Sequence, residues 1–155
     1  MHEIIFGNQR FIARADRTLF HPDSRTLFLS DLHLGKGHLF RREGIPIPKQ
    51  SEVKDIERLI SAVETTAARS IWILGDLFHH PKSITSVLMS EWIRLLEIVN
   101  LDRNVILGNH DKFATRYASD LGFSLQPEPS YWRQLSLAHH PEKICSMPRI
   151  SGHIH

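Results

Sequence analysis

The chain has 155 residues, 41% hydrophobic and 23% charged, with a net charge of +2 when histidine is neutral. That is enough for one domain, 1–155, able to bury roughly 68–70% of its unfolded surface. The charge is too small to identify a nucleic-acid binder unaided, the single Cys145 excludes an internal disulfide, and no apolar run is long enough to span a membrane.

MHEIIFGNQRF lacks a basic region followed by a long apolar stretch, so no signal peptide is expected and the cytoplasm is the expected compartment. HEIIF, RFIARA, RTLF and RTLFLS read as short strands separated by turn signals. Residues 35–50, GKGHLFRREGIPIPKQ, combine glycines, prolines and bases and read as a long loop. Val53, Ile56, Leu59, Ile60 and Val63 mark one face of a helix over 51–67, with Ser51 as its N-cap. SIWIL (70–74) reads as a buried strand. A second helix spans 84–100, with Val87, Leu88, Trp92, Leu95, Leu96 and Val99 on its apolar side. NVIL (104–107) is another buried strand, 112–121 a helix closed by Gly122, 131–138 one strand, and RIS (149–151) a last strand. Strands alternating with helices predict an α/β fold with a partly parallel sheet; the extra strands at the start predict a mixed sheet or two stacked sheets.

Eleven histidines are many for this length, and several follow strands. TLFLS is followed by Asp31-Leu32-His33, SIWIL by Gly75-Asp76, and NVIL by Gly108-Asn109-His110-Asp111. QLSLA is followed by His139-His140-Pro141, and RIS by Gly152-His153-Ile154-His155. In open α/β sheets ligands bind outside the carboxyl ends of the strands, so five segments converge on one crevice. Asp31 and His33, like His153 and His155, point to one side if the backbone there is extended. Mixed nitrogen and oxygen donors suit Mn, Fe or Zn better than Ca or Mg. Singly, each segment also reads as an ordinary turn, a half-buried His pair, or a solvated terminus. A turn needs the glycine and the Asn or Asp of GNHD, but it has no use for His110.

The ordered set DLH, GD, GNHD, H, GHIH resembles the calcineurin-like metallophosphoesterases, from Asp31 to the end of the chain. The resemblance implies two stacked mixed β-sheets flanked by helices, a four-layer sandwich. It implies two divalent metals, Mn²⁺ foremost with Fe or Zn as alternatives. Asp31, His33 and His155 would hold the first, Asp76 would bridge, and Asn109, His139 and His153 would hold the second. His139 is favoured over His140 because the family's single His stands two before a Pro. His110 would face the scissile phosphate, with Asp111 orienting it. Two such metals sharing a bridging hydroxide would attack phosphorus in line with the leaving oxygen.

LFLSDLHLGKGHLFRREGIPIP and GDLFH are similar to one branch, the bacterial ligase-associated DNA damage response endonucleases. That similarity implies DNA as substrate, DNA repair as the setting and ligase or helicase partners. Lys36, His38, Arg41, Arg42 and His79 become candidate substrate contacts; a solvated basic loop is the plain reading of the first four. A small-molecule phosphatase or nucleotide phosphodiesterase, and a metal-binding domain with little turnover, are the competing functions. Family members usually continue past GHxH, so a chain ending at His155 is expected to be truncated. An open sheet edge, self-association and partial metal occupancy are then expected.

Overall fold

The structure, a computed structural model, describes residues 1–48, 50–98, 100–111, 115, 120–141 and 146–153; the side chains of Ser51, Glu52, Val87 and His110 lie outside that description. Seven strands form one sheet in chain order: β1 (His2–Phe6), β2 (Gln9–Ala13), β3 (Leu19–His21), β4 (Thr26–Leu29), β5 (Ser70–Leu74), β6 (Asp102–Ile106) and β7 (Ser124–Gln126). The first four pair antiparallel through short turns. From β4 onward the pairing is parallel, with Leu29 beside Ile73 and Leu74 beside Ile106. The C-terminal ends of β4, β5 and β6 therefore share one edge. A second sheet has the order β10 (Arg149–Ser151), β9 (Leu135–Ala138), β8 (Ser130–Trp132), with β9 and β10 parallel.

Side-chain alternation in the strands builds two cores. Leu27, Leu29, Ile71, Ile73 and Val105 face helices α2 (Ser51–Thr66) and α3 (Ser86–Leu96). There they meet Ile56, Leu59, Ile60, Val63, Leu88, Trp92 and Leu95. Phe28, Trp72, Leu74 and Ile106 face the other way, onto Leu135 and Leu137 of the smaller sheet. The described residues thus supply three layers of the expected four: helices, large sheet, small sheet. No helix among them covers the outer face of the smaller sheet, and none is long and apolar enough to cross a membrane.

Several local expectations need correction. Residues 36–42 are not loop but a short helix, α1 (Lys36–Arg42). Gly35 enters it with φ +77, and Leu39, Phe40, Arg41 and Arg42 are adequate helix formers. Ser51 is the first residue of α2, not its cap; Gln50 takes the cap position. α3 begins at Ser86 behind Thr85, whose hydroxyl accepts from the Leu88 N–H at 3.1 Å. The strand expected over 131–138 is two strands, turning at Arg133 with φ +52. No Gly or Asn stands in that turn, so the apolar pattern reads straight through it. β7, with two exposed residues and only three in all, has no pattern to read. Most of the helix expected over 112–121 falls outside the described residues.

Candidate metal centre and catalytic cleft

Because β4, β5 and β6 run parallel, their following residues meet. Asp31 N–H donates to the Gly75 carbonyl at 3.1 Å and His33 N–H to the Asp76 carbonyl at 2.9 Å. From the second sheet, Gly152 N–H donates to the Ala138 carbonyl at 3.2 Å, bringing His153 beside His139. His153 N–H then donates to Asp31 Oδ2 at 3.1 Å, joining the two sheets' contributions. Asp31, His33, Asp76, His139 and His153 are thereby gathered into one place.

The backbone reaches this place by a route the sequence did not suggest. Asp31 (φ +54), His33 (+45), Asp76 (+53) and His153 (+49) all adopt the left-handed conformation. The expectation of an extended Asp31-x-His33, with side chains sharing a side by strand alternation, is therefore wrong. Left-handed conformation in non-glycine residues costs about 1–2 kcal/mol each. Such strain clusters at functional sites, where the surroundings enforce it.

Asp76 is fully buried. Its two carboxylate oxygens face different imidazoles: Oδ2 stands 3.8 Å from His33 Nε2, and Oδ1 stands 3.7 Å from His139 Nε2. Both gaps are longer than a hydrogen bond. His139 is also fully buried, and its Nδ1 lies 2.9 Å from the Leu74 carbonyl. That carbonyl can only accept, so Nδ1 carries the proton and Nε2 presents a lone pair. Among the described residues Nε2 has no hydrogen-bond partner, and neither has the buried Asp31 Oδ1. An imidazole whose far nitrogen is tied to a backbone carbonyl while the near one faces a carboxylate is arranged as a metal ligand.

Two overlapping groups of donors result. Ligand atoms of Asp31, Asp76 and His153 lie within 4.8 Å of one another, as do those of His139, His140 and His153. The donor set, neutral imidazoles with carboxylates, suits a divalent transition metal. His153 belongs to both groups rather than to one. His155, expected on the first metal, lies outside the described residues. Asn109 opens a 3-10 turn over Asn109–Asp111. Its Oδ1 lies 3.2 Å from His140 Nε2, and the His140 ring packs 4.6 Å and 4.7 Å from those of His139 and His153. His140 thus enters the cluster beside His139, a residue the sequence reading had set aside.

Two carboxylates hold the loops rather than the ligands. Asp111 is fully buried. Its Oδ2 accepts from the N–H groups of Leu77 (3.0 Å) and Gly108 (3.1 Å), and its Oδ1 from Phe78 N–H (2.8 Å). Burial pushes its carboxyl above the ordinary range, against the pull of these three hydrogen bonds. Asp111 was expected to orient His110, whose side chain lies outside the described residues; the described bonds of Asp111 tie the loop after β5 to the loop after β6. Glu128 Oε1 accepts from both His139 N–H and His140 N–H at 3.0 Å. Sequence reading missed Glu128 because it belongs to no motif and acts only on backbone groups.

Three glycines leave the space. A Cβ on Gly75 would run into the His139 ring, one on Gly108 into the Asp76 carboxylate, and one on Gly152 into the Leu74 carbonyl and Ser30.

A cleft of about 310 Å³ opens from Asp31 and His33 along α1 and α2. Lys36, a candidate substrate contact, lines it. His38, Arg41 and Arg42 do not. Arg41 Nη1 instead reaches the carbonyls of Ile47 (3.4 Å) and Pro48 (3.3 Å), bracing the turn after α1, and Arg42 is exposed. Folding 36–42 into a helix sends neighbouring bases to different sides, which a loop reading could not anticipate. His79 packs edge-on to His33, with ring centroids 5.5 Å apart, and to Phe40 at 6.1 Å.

An α/β sandwich that gathers carboxylates, imidazoles and an amide outside its parallel strand ends has the layout of a metal-dependent hydrolase. The family model for calcineurin-like phosphoesterases matches residues 24–155, and the chain belongs to that family: it is a hydrolase acting on phosphoester bonds. Among solved structures it is similar to the crystal structure of Pseudomonas putida nuclease MPE, with a TM-score of 0.81 and 23% identity over 99% of this chain and 73% of that one. At that identity the likeness speaks for the fold. No curated protein matches the chain.

Proposed function

We propose that this protein is a two-metal phosphodiesterase acting on DNA. The observation that carries the reading is Asp76: a fully buried carboxylate whose two oxygens face the imidazoles of His33 and His139, as a group shared between two ions would. Asp31, His33 and His155 would complete one position with it, and Asn109, His139 and His153 the other. Mn²⁺ is the proposed metal, with Fe or Zn also suited to these donors. The metals, when bound, acidify water at neutral pH and offset charge on the phosphoryl oxygens.

The chain's own residues do the rest. The Leu74 carbonyl ties down His139 Nδ1, which leaves Nε2 as the nitrogen that would meet a metal. Asp111 and Glu128 fix the loops that carry Asp76, Asn109 and His139. His110 is the proposed proton donor to the leaving oxygen. That the structural neighbour is a nuclease agrees with a nucleic-acid substrate, and the resemblance to ligase-associated endonucleases supports DNA. The same resemblance supports a DNA-repair setting in the cytoplasm, with ligase or helicase partners.

The test is hydrolysis of bis-p-nitrophenyl phosphate by metal-stripped protein, with and without added Mn²⁺. Turnover should appear only with metal and vanish in Asp76→Asn, which should also lose both ions. Full metal occupancy in folded Asp76→Asn would refute the shared-carboxylate assignment.

A further inference from the structure

The cleft beside Asp31 and His33 carries cations that no motif accounts for, set around the carboxylates of Asp31 and Asp55. Three cations line it, and they come from separate parts of the chain: Arg17 from the β2–β3 turn, Lys36 from the start of α1, and Arg58 from α2. Neither the charge balance nor any motif draws attention to Arg17 or Arg58.

Arg17 stands on a built turn. Arg14 N–H donates to the Thr18 carbonyl at 3.0 Å and Arg17 N–H to the Arg14 carbonyl at 3.2 Å. Asp16, its neighbour, is fully engaged elsewhere: it accepts from Arg14 Nε (2.8 Å), from the Thr18 hydroxyl (2.6 Å) and from Thr18 N–H (3.2 Å). Arg14 also reaches the Thr65 hydroxyl of α2 at 3.0 Å, pinning the turn to the helix. Arg17 is left exposed, with φ +64 and with no ion pair among the described residues. With Asp16 engaged by Arg14 and Thr18, and Asp55 paired to Arg58, Arg17 keeps its charge for an outside anion. Arg58 shares the cleft with Asp55, its i,i−3 partner at 2.8 Å; the pair holds the Arg58 guanidinium in place at the cleft wall, with its remaining N–H groups able to meet a phosphate, and leaves the fuller charge to Arg17 and Lys36. Lys36 Nζ lies 5.7 Å from the centre of the Phe40 ring, and Phe40 and Ile47 give the cleft an apolar wall.

A phosphodiester bears one negative charge, which metals held by the ligands above would receive when bound. Arg17, Lys36 and Arg58 lie beyond those ligands and match further phosphates of the same molecule. The apolar wall suits a sugar or an unstacked base. We infer that this cleft is a subsite for a single nucleic-acid strand, in which Arg17 and Arg58, with Lys36, grip phosphates flanking the scissile one. The inference rests on the phosphodiesterase reading above and adds to it the residues outside the metal centre that would hold the strand.

The test compares wild type with Arg17→Asn/Arg58→Gln. Asn suits the left-handed turn, Gln keeps the helix, and Arg17→Asn alone serves if the double variant is unstable. The full chain, with EDTA to prevent turnover, is titrated with a fluorescent single-stranded oligonucleotide at several NaCl concentrations. Each lost phosphate contact should lower the slope of log affinity against log salt by about 0.7, so about 1.4 for the pair. With Mn²⁺ present, kcat/KM on the oligonucleotide should fall at least tenfold further than kcat/KM on bis-p-nitrophenyl phosphate. An unchanged salt slope, or equal losses on the two substrates, would overturn the subsite. Failure of wild type to hydrolyse bis-p-nitrophenyl phosphate with Mn²⁺ would instead overturn the phosphodiesterase reading, and the two failures are thereby distinguished.

Discussion

Gly108→Ala should damage the metal centre without touching any ligand. The glycine's φ is unexceptional, so the question is only one of space. A Cβ there would overlap Oδ1 and the backbone N of Asp76 and lie 2.9 Å from its Cγ. Ordinary contact begins at 3.4 Å, so Asp76 or the end of β6 must move by about 1 Å. Asp76 cannot swing freely, because it is fully buried between His33 and His139. Overpacking of this kind costs about 1–3 kcal/mol in stability, against a total of roughly 5–15 for a domain. A displacement of about 1 Å at the reacting centre costs on the order of 100-fold in rate. Gly44→Ala is the control: φ is +84 there, but nothing lies within 4 Å of the added carbon. It should cost about 1 kcal/mol of backbone strain and leave the metals alone. Urea midpoints and competition with a metal chelator separate the two effects. Gly108→Ala should unfold at lower urea and bind metal at least tenfold more weakly, while Gly44→Ala shows only the first change. A folded Gly108→Ala protein with wild-type metal affinity would refute the reasoning.

His110→Ala should lower turnover on a diester by roughly 10²–10⁴-fold while metal content, read by elemental analysis, stays near wild type; equal losses of both would make it a ligand instead. His140→Ala should weaken metal binding by roughly tenfold, because Asn109 Oδ1 loses the ring nitrogen 3.2 Å away that orients it; an unchanged chelator titration would remove His140 from the centre. Asp16 governs part of the acid limb of stability. Burial pushes its carboxyl up, but the Arg14 and Thr18 hydrogen bonds and the Arg14 charge outweigh that and hold it below 3.8. A depressed folded pKa means the stabilisation is complete above pH 3.8 and drains away as pH falls through the lower folded value. Asp16→Asn should therefore cost about 1 kcal/mol near neutrality, with the gap closing in acid. A gap in urea midpoint that stays constant with pH would contradict this.

What could be read from the chain, and what could not, divides along a physical line. Strands such as SIWIL are wholly local facts: five residues with four buried side chains and a glycine after them. The residues at the strand ends are equally local, since each donor type stands next to its own strand in sequence. Their convergence followed from one inference, that parallel strands end on the same edge. The left-handed turns at Asp31, His33, Asp76 and His153 could not be read, because aspartate and histidine carry no signature for them. The surrounding sheets impose those turns. Asp111 and Glu128 act on backbone N–H groups, and a backbone donor looks the same at every position in a sequence. The basic cleft shows the limit most clearly. Arg41 and Arg42 stand beside Lys36 in the chain, yet α1 turns them away, and its partners Arg17 and Arg58 come from 19 and 22 residues to either side. Charge at a site is a property of packing across β2–β3, α1 and α2 together, so the order of the residues could suggest a basic loop but not which cations line the cleft.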